Sequence, residues 1–305
     1  MTTPTVPHAP GDFVTVGGRN LWLEREGRGE PVLLLAGLGP AGSHAVFHPD
    51  FSRLSSDYEV LYLDLHGRGR SDRPRELREI TFDSDVADVA GSIEAAGRGP
   101  VHVYGFSYGG LLAQALALRH PRLVRSLVLA NTLHSPEMWQ ANHGNINREL
   151  ANQFPEIWEQ ILAHRKQGLP STAPEMQRLF AAAMRLVRFY NPDNADRLIG
   201  LSEPGARNAD LYPIFCGADV DFIIGGEVAR IPDFRPRLRE IACPLLVVAG
   251  RYDRALYPRW QRDFTAFAPQ ARLVMMERSG AFAHVEEPDA LMALIRDFFA
   301  NAHGR

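Results

Sequence analysis

The chain has 305 residues, 45% of them apolar and 23% charged, which fits a globular protein with a full-sized core and argues against disorder. Its net charge of −3 supplies no basic face to neutralise a phosphate backbone, so no nucleic-acid partner is expected. No apolar run reaches the ~20 residues that span a bilayer, and residues 1–11 lack the basic and apolar regions of a secretory signal, so a cytoplasmic protein with no membrane partner is expected.

Residues 13–16 and 20–25 alternate around Gly17 and Gly18 and read as an antiparallel hairpin with a tight turn. Short apolar runs follow: PVLLLAG from Pro31, EVLYLDL from Glu59, PVHVYGF from Pro100 and RSLVLAN from Arg125. Stretches with helical periodicity separate them. Such near-continuous apolar strands belong to a parallel sheet covered on both faces. Between residues 134 and 234 no strand is apparent, and EIWEQILAHRKQG and APEMQRLFAAAMRLVRFY read as amphipathic helices. An interval of that length between two strands is too long for a loop and reads as a helical cap. CPLLVVAG from Cys243 and ARLVMME from Ala271 resume the sheet, and a helix over residues 288–300 closes the chain. The expected architecture is an α/β fold: a mostly parallel sheet of about eight strands with helices on both faces. Residues 1–133 and 235–305 form the core, and residues 134–234 form an inserted cap. Cys216 and Cys243 show neither a disulfide framework nor metal-ligand spacing and are read as buried thiols.

In VHVYGFSYGG a strand hands over to a helix through Gly105, Phe106, Ser107, Tyr108 and Gly109, the G-x-S-x-G pattern of a nucleophile elbow. The turn strains the serine backbone and lifts its hydroxyl above the sheet, and the following helix aims free N–H groups at the site. A serine hydroxyl needs a base and an orienting carboxylate. Asp253, just beyond the seventh strand, and His284, after the eighth, project from the same sheet edge in the order Ser, Asp, His. The backbone amides of Tyr108 and Leu38 are the expected oxyanion donors. His134 and Trp139, after the sixth strand, are candidate lining residues, with His66 in support, whereas His102 lies inside a strand and reads as a core histidine. GLGPAG, from Gly37, also matches a dinucleotide-binding turn, but Pro49 interrupts the helix such a turn must open. His44 and His48 are spaced like metal ligands, yet no third ligand is apparent, so they are read as loop packing, and neither metal nor cofactor is expected.

The motifs DLHGRGRSD, GFSYGG, AGRYDRA and FAHVEEPD resemble those of the α/β-hydrolase superfamily, and the resemblance runs from the first hairpin to the last helix. LVLANTLHSPEMW and GADVDFIIGGEVARIPDFRPRL further resemble the segments that enter and leave the cap of prolyl iminopeptidase-like serine peptidases. That family has H-G-G-P-G where this chain has AGLGPAG, D-Q-x-G-x-G where it has DLHGRG, and often G-G-S-W-G at the elbow. The resemblance implies a cap carboxylate that binds the substrate's free amine, with Asp221 and its neighbour Asp219 near the matching position. The function implied is hydrolysis of a small amide or aminoacyl bond through an acyl-enzyme. The alternatives are an esterase, thioesterase or natural-product hydrolase and, in another class, a noncatalytic ligand-binding protein of the same fold. The partner expected is a small-molecule or short-peptide substrate; the sequence leaves the oligomeric state open.

Overall fold

In the computed structural model, residues 6–303 are described. Strands β1 (Gly11–Val16) and β2 (Arg19–Gly27) form the leading hairpin, with Gly17 and Gly18 in the left-handed conformation at φ 55 and 80°. Six more strands follow: β3 (Glu30–Leu35), β4 (Tyr58–Leu63), β5 (Val101–Phe106), β6 (Val124–Ala130), β7 (Leu245–Gly250) and β8 (Arg272–Met276). They build one sheet in the order β1-β2-β4-β3-β5-β6-β7-β8. The pairs β1–β2 and β2–β4 are antiparallel, and every other pair is parallel.

Helix α1 (Phe82–Ala95) starts at a capping box in which Thr81 and Ser84 satisfy each other's backbone amides. Helix α2 (Tyr108–Arg119) begins directly after Ser107. Between β6 and β7 lie α3 (Pro136–Gln153), α4 (Pro155–Lys166), α5 (Pro174–Arg188) and the short α6 (Leu211–Cys216). Three of these helices, α3, α4 and α5, begin with proline, whose fixed φ suits a helix start. Helices α7 (Pro258–Phe267), α8 (Ala283–Glu286) and α9 (Pro288–Ala300) complete the chain. No helix among the described residues is long and apolar enough to cross a membrane.

Three apolar layers result. One covers the sheet face under α1, α2 and α7, with Val86, Leu111 and Phe264 fully enclosed. The opposite face packs on α9 through Leu291, Ile295 and Phe299. A third cluster, including Ile146, Ile161 and Phe180, holds α3, α4 and α5 together. Because β3 continues leftward to β4 while β5 lies on its right, the chain reverses direction between β3 and β5. In open α/β sheets, ligands bind outside the carboxyl ends of the strands at such a point. Residue 107 follows β5 directly, and residue 38 stands three positions past the end of β3.

Candidate active site

Ser107 has φ 52 and ψ −117°, a conformation that costs a non-glycine residue about 1–3 kcal/mol. The surroundings impose it. The Ser107 amide donates to the Ala130 carbonyl at 3.1 Å, while its own carbonyl accepts from Gly110 N at 3.0 Å and Thr132 Oγ1 at 2.5 Å. A β-carbon on Gly105 would lie 2.7 Å from the Gly109 carbonyl oxygen, and one on Gly109 would lie 2.0 Å from that of Leu35. Only glycine fits at either position. The turn thus presents a half-buried hydroxyl at the N-terminus of α2, where free amides and the helix dipole favour negative charge.

The loop after β3 folds against this serine: a β-carbon on Gly37 would lie 2.4 Å from Ser107 Cβ. Leu38 takes φ 106°, a second strained position. One buried ion pair braces both the loop after β3 and the start of α2. Arg68 Nη1 and Nη2 each donate to Asp85 at 2.7 Å, Arg68 Nε donates to the Pro40 carbonyl at 2.7 Å, and Tyr108 Oη donates to Asp85 at 2.6 Å. Both Arg68 and Asp85 are fully buried. From the insertion, the Tyr212 ring closes on Gly39, 2.8 Å from where a β-carbon would stand.

Asp253 is buried beyond β7, with Oδ1 accepting from the amides of Ala255 at 2.9 Å and Leu256 at 3.0 Å. Its Oδ2 accepts from Asn131 Nδ2 at 3.3 Å and from Arg188 Nη1 at 3.4 Å. Neither partner is a histidine. His284, expected to pair with Asp253, instead sits in α8 with its ring among Phe47, Phe51, Phe106 and Phe282, at centroid distances of 5.6–6.2 Å. Neither ring nitrogen makes an aligned hydrogen bond among the described residues. Burial pushes its pKa down to about 4, against the pull of the Val46 backbone. The correction has a backbone cause. The tip of the loop after β8, Gly280–Ala281, is what meets the acid: Asn131 Nδ2 bonds both Asp253 and the Gly280 carbonyl, the latter at 3.4 Å, and Ala281 N donates to the Arg188 carbonyl at 2.7 Å. The short α8 then carries residue 284 onto the far face of the sheet, into the layer packed on α9.

The remaining candidates divide. His134 packs on Phe264 and Phe267 at 5.2 and 6.0 Å, pushed down to about 4 by burial, so it belongs to the α7 contact rather than the serine. Trp139 packs on the ring of Tyr108 at 6.2 Å within the apolar layer. Asp219 is taken by Arg165, with bonds of 2.7 and 2.8 Å. Asp221 accepts from His143 Nδ1 at 3.0 Å and is buried. His102 is bonded to Ser126 Oγ at 2.8 Å inside the core, and His66 lies on the loop beside Arg68. Sequence reasoning missed Asn131 and Arg188. Asn131 carried one signal, a turn-forming side chain just after a strand, realised as φ 41°; Arg188, at the end of a cap helix, carried none.

Residues 30–288 match the family described as alpha/beta hydrolase fold. A proline iminopeptidase of Heyndrickxia coagulans is 29% identical over 296 residues, covering 95% of this chain and 98% of that protein. Polyketide synthase ThaQ of Burkholderia thailandensis is 39% identical over 269 residues, 87% of this chain and 11% of that much longer protein. The crystal structure of a proline iminopeptidase from Mycobacterium smegmatis superposes with a TM-score of 0.79 at 22% identity, covering 96% of this chain and 98% of that one. The family match spans most of the chain, so the protein belongs to the alpha/beta hydrolase fold family and is an enzyme of that class.

Proposed function

We propose that this chain is a serine hydrolase that takes an acyl group from a small ester or thioester onto Ser107 beneath the helical insertion. The observation that carries the reading is the strained elbow at Ser107, placed against Gly37 at the switch point of the sheet. Ser107 Oγ attacks the carbonyl carbon, and the amides of Leu38 and Tyr108 hold the developing oxyanion. The C–O or C–S bond to the leaving group then breaks, and the leaving group or solvent takes the serine proton. Water releases the acyl group in a second step.

The surroundings of Asp253 support one substrate class over another. No imidazole stands on this carboxylate, and the Ser107 hydroxyl has no hydrogen-bond partner among the described residues. An elbow and oxyanion hole without a complete triad retain about 10³–10⁴-fold catalysis over water. That supports acyl groups with good leaving groups over amides, whose departing amine needs a proton from an acid. Amide or aminoacyl hydrolysis is the second reading, favoured by the relatives named proline iminopeptidase.

The test is intact-mass analysis and turnover of the purified chain with an aryl ester, an N-acetylcysteamine thioester and a prolyl arylamide. A Ser107 adduct, with ester and thioester turnover well ahead of arylamide, is the expected result. Arylamide cleavage as fast as ester cleavage would select the second reading, and the absence of any Ser107 adduct or turnover would leave a ligand-binding member of the fold.

A further inference from the structure

We propose that His8, Glu24, His44 and His48 form a binding site for one divalent transition-metal ion, Zn²⁺ by its ligand chemistry, distinct from the Ser107 site. His44 and His48 lack a third ligand in their own loop, but the fold supplies two more. Glu24 reaches in from β2, and His8 comes from the arm that precedes β1. One ligand atom from each of the four lies within 4.8 Å of every other.

The three His–Glu spacings are close to those of a coordination shell. His8 Nδ1 and His44 Nε2 lie 2.8 and 3.1 Å from Glu24 Oε2, and His48 Nε2 lies 3.0 Å from Glu24 Oε1. Donors at 2.0–2.1 Å from a tetrahedral zinc ion are separated by about 3.3 Å. The three rings stand edge to face around the carboxylate, with centroids 4.9–5.6 Å apart.

Two further observations point to an ion rather than to hydrogen bonds alone. The His48 side chain is fully enclosed and stacked on Tyr62 at 4.3 Å, yet neither of its nitrogens makes an aligned hydrogen bond. A buried imidazole left this way costs free energy, and donation of its Nε2 lone pair to a cation removes much of the cost. The other two imidazoles have carboxylates behind them. His44 Nδ1 faces Asp64 Oδ1 at 2.8 Å, and His8 Nε2 faces Glu203 Oε1 at 2.7 Å. A carboxylate on the far nitrogen fixes the tautomer and ring orientation of a metal-bound histidine.

Three imidazoles and one carboxylate suit zinc; magnesium and calcium prefer oxygen donors. Four protein ligands fill a tetrahedral shell, so the ion is structural. It fastens the N-terminal arm to β2 and to the segment that continues the oxyanion loop, where Asp64 also accepts from the His44 amide at 3.0 Å. Through Glu203 it reaches the insertion.

The experiment uses the full chain without a polyhistidine tag, stripped with chelator and dialysed. Titration with Zn²⁺ by calorimetry should show about one site per chain, and Co²⁺ should give the intense visible absorption of a tetrahedral complex. Zn²⁺ should also raise the melting temperature, as any ligand specific for the folded state does. His8→Ala, on the arm, and His48→Phe, which keeps an aromatic ring on Tyr62, should each weaken Zn²⁺ binding at least ~10-fold while circular dichroism stays native. No stoichiometric uptake by the wild-type chain, or unchanged affinity in both folded variants, would overturn the proposal. Ser107 acylation serves as a separate readout, so loss of one site is distinguishable from loss of the other.

Discussion

The two halves of the serine site are built to different standards. On the nucleophile side every part is present: a strained serine, glycines at the two positions where a β-carbon would collide, and a buried Arg68–Asp85 pair that ties Pro40 and Tyr108 to one point. On the relay side the acid is equally well buried and bonded, yet its partners are Asn131 and Arg188, and the nearest loop tip ends in Ala281. An oxyanion pocket is made of backbone and survives any side-chain change that keeps the turn. A proton relay depends on a single imidazole at a single position, so the two halves are separable in physical terms.

That contrast can be broken most sharply at the nucleophile. Ser107→Ala should abolish acyl-adduct formation in intact-mass spectra with an aryl ester, because no other group stands at the elbow; an adduct of undiminished yield would place the chemistry elsewhere. Next in size, Ala281→His would set an imidazole at the loop tip beside Asp253. A positioned general base contributes about 10²–10⁴-fold, so ester turnover should rise by at least ~10² and gain a pH inflection near ~6.5, the ordinary histidine value. Unchanged turnover in a folded Ala281→His protein would show that Asp253 is not oriented for a relay.

On the well-built side, Arg68→Met leaves the Asp85 carboxylate buried without its cation, and breaking a buried pair from one side costs about 3–5 kcal/mol. Urea unfolding at neutral pH measures this, and a cost below ~1 kcal/mol would show that the pair is not the brace. The smallest effect belongs to His284→Leu. A triad role would make this change ruinous, whereas an imidazole among four aromatic rings should be replaceable with turnover within about threefold of wild type. Its folded-state pKa of about 4 lies below the free value, so the unfolded chain binds the proton more readily. The stability held above pH ~6.5 is therefore lost as pH falls toward 4, by about 2–3 kcal/mol for this group. His284→Leu should flatten that part of the acid slope, leaving the similar share of His134.

Much of this was legible in the sequence, for reasons that differ by element. The apolar runs gave six strands because a parallel sheet buried on both faces leaves little room for polar residues, alternation gave the leading hairpin, and the elbow was legible because two steric requirements fall within five residues. Ser107, Leu38 and Asp253 follow strand ends, and strand ends are fixed by those runs. His284 was misplaced because the helical turn of α8, only four residues long, has no periodicity to detect, yet it decides which face of the sheet the ring meets. Arg188 and Glu203 lie in the insertion, where contacts with the core depend on how the helices fold back. The His8–Glu24 approach joins the arm to β2, a proximity that no spacing along the chain encodes.

Arg188 has one more consequence. Its carbonyl holds the loop after β8, its guanidinium reaches both Asp253 and Asn142 of α3, and the Val187 carbonyl beside it accepts from the Arg254 amide at 3.1 Å. The end of α5 is therefore a clamp spanning the insertion and both loops that flank the acid. Any hinge motion that moved the insertion away on this side would first have to strip a buried carboxylate of the one cation that pairs with it among the described residues. Mobility and electrostatics at this edge are thus a single variable, whereas on the Tyr212 side the insertion is held to the loop after β3 by uncharged backbone hydrogen bonds, Ser43 N to Ala206 O and Asn208 N to Ala41 O, both at 2.9 Å.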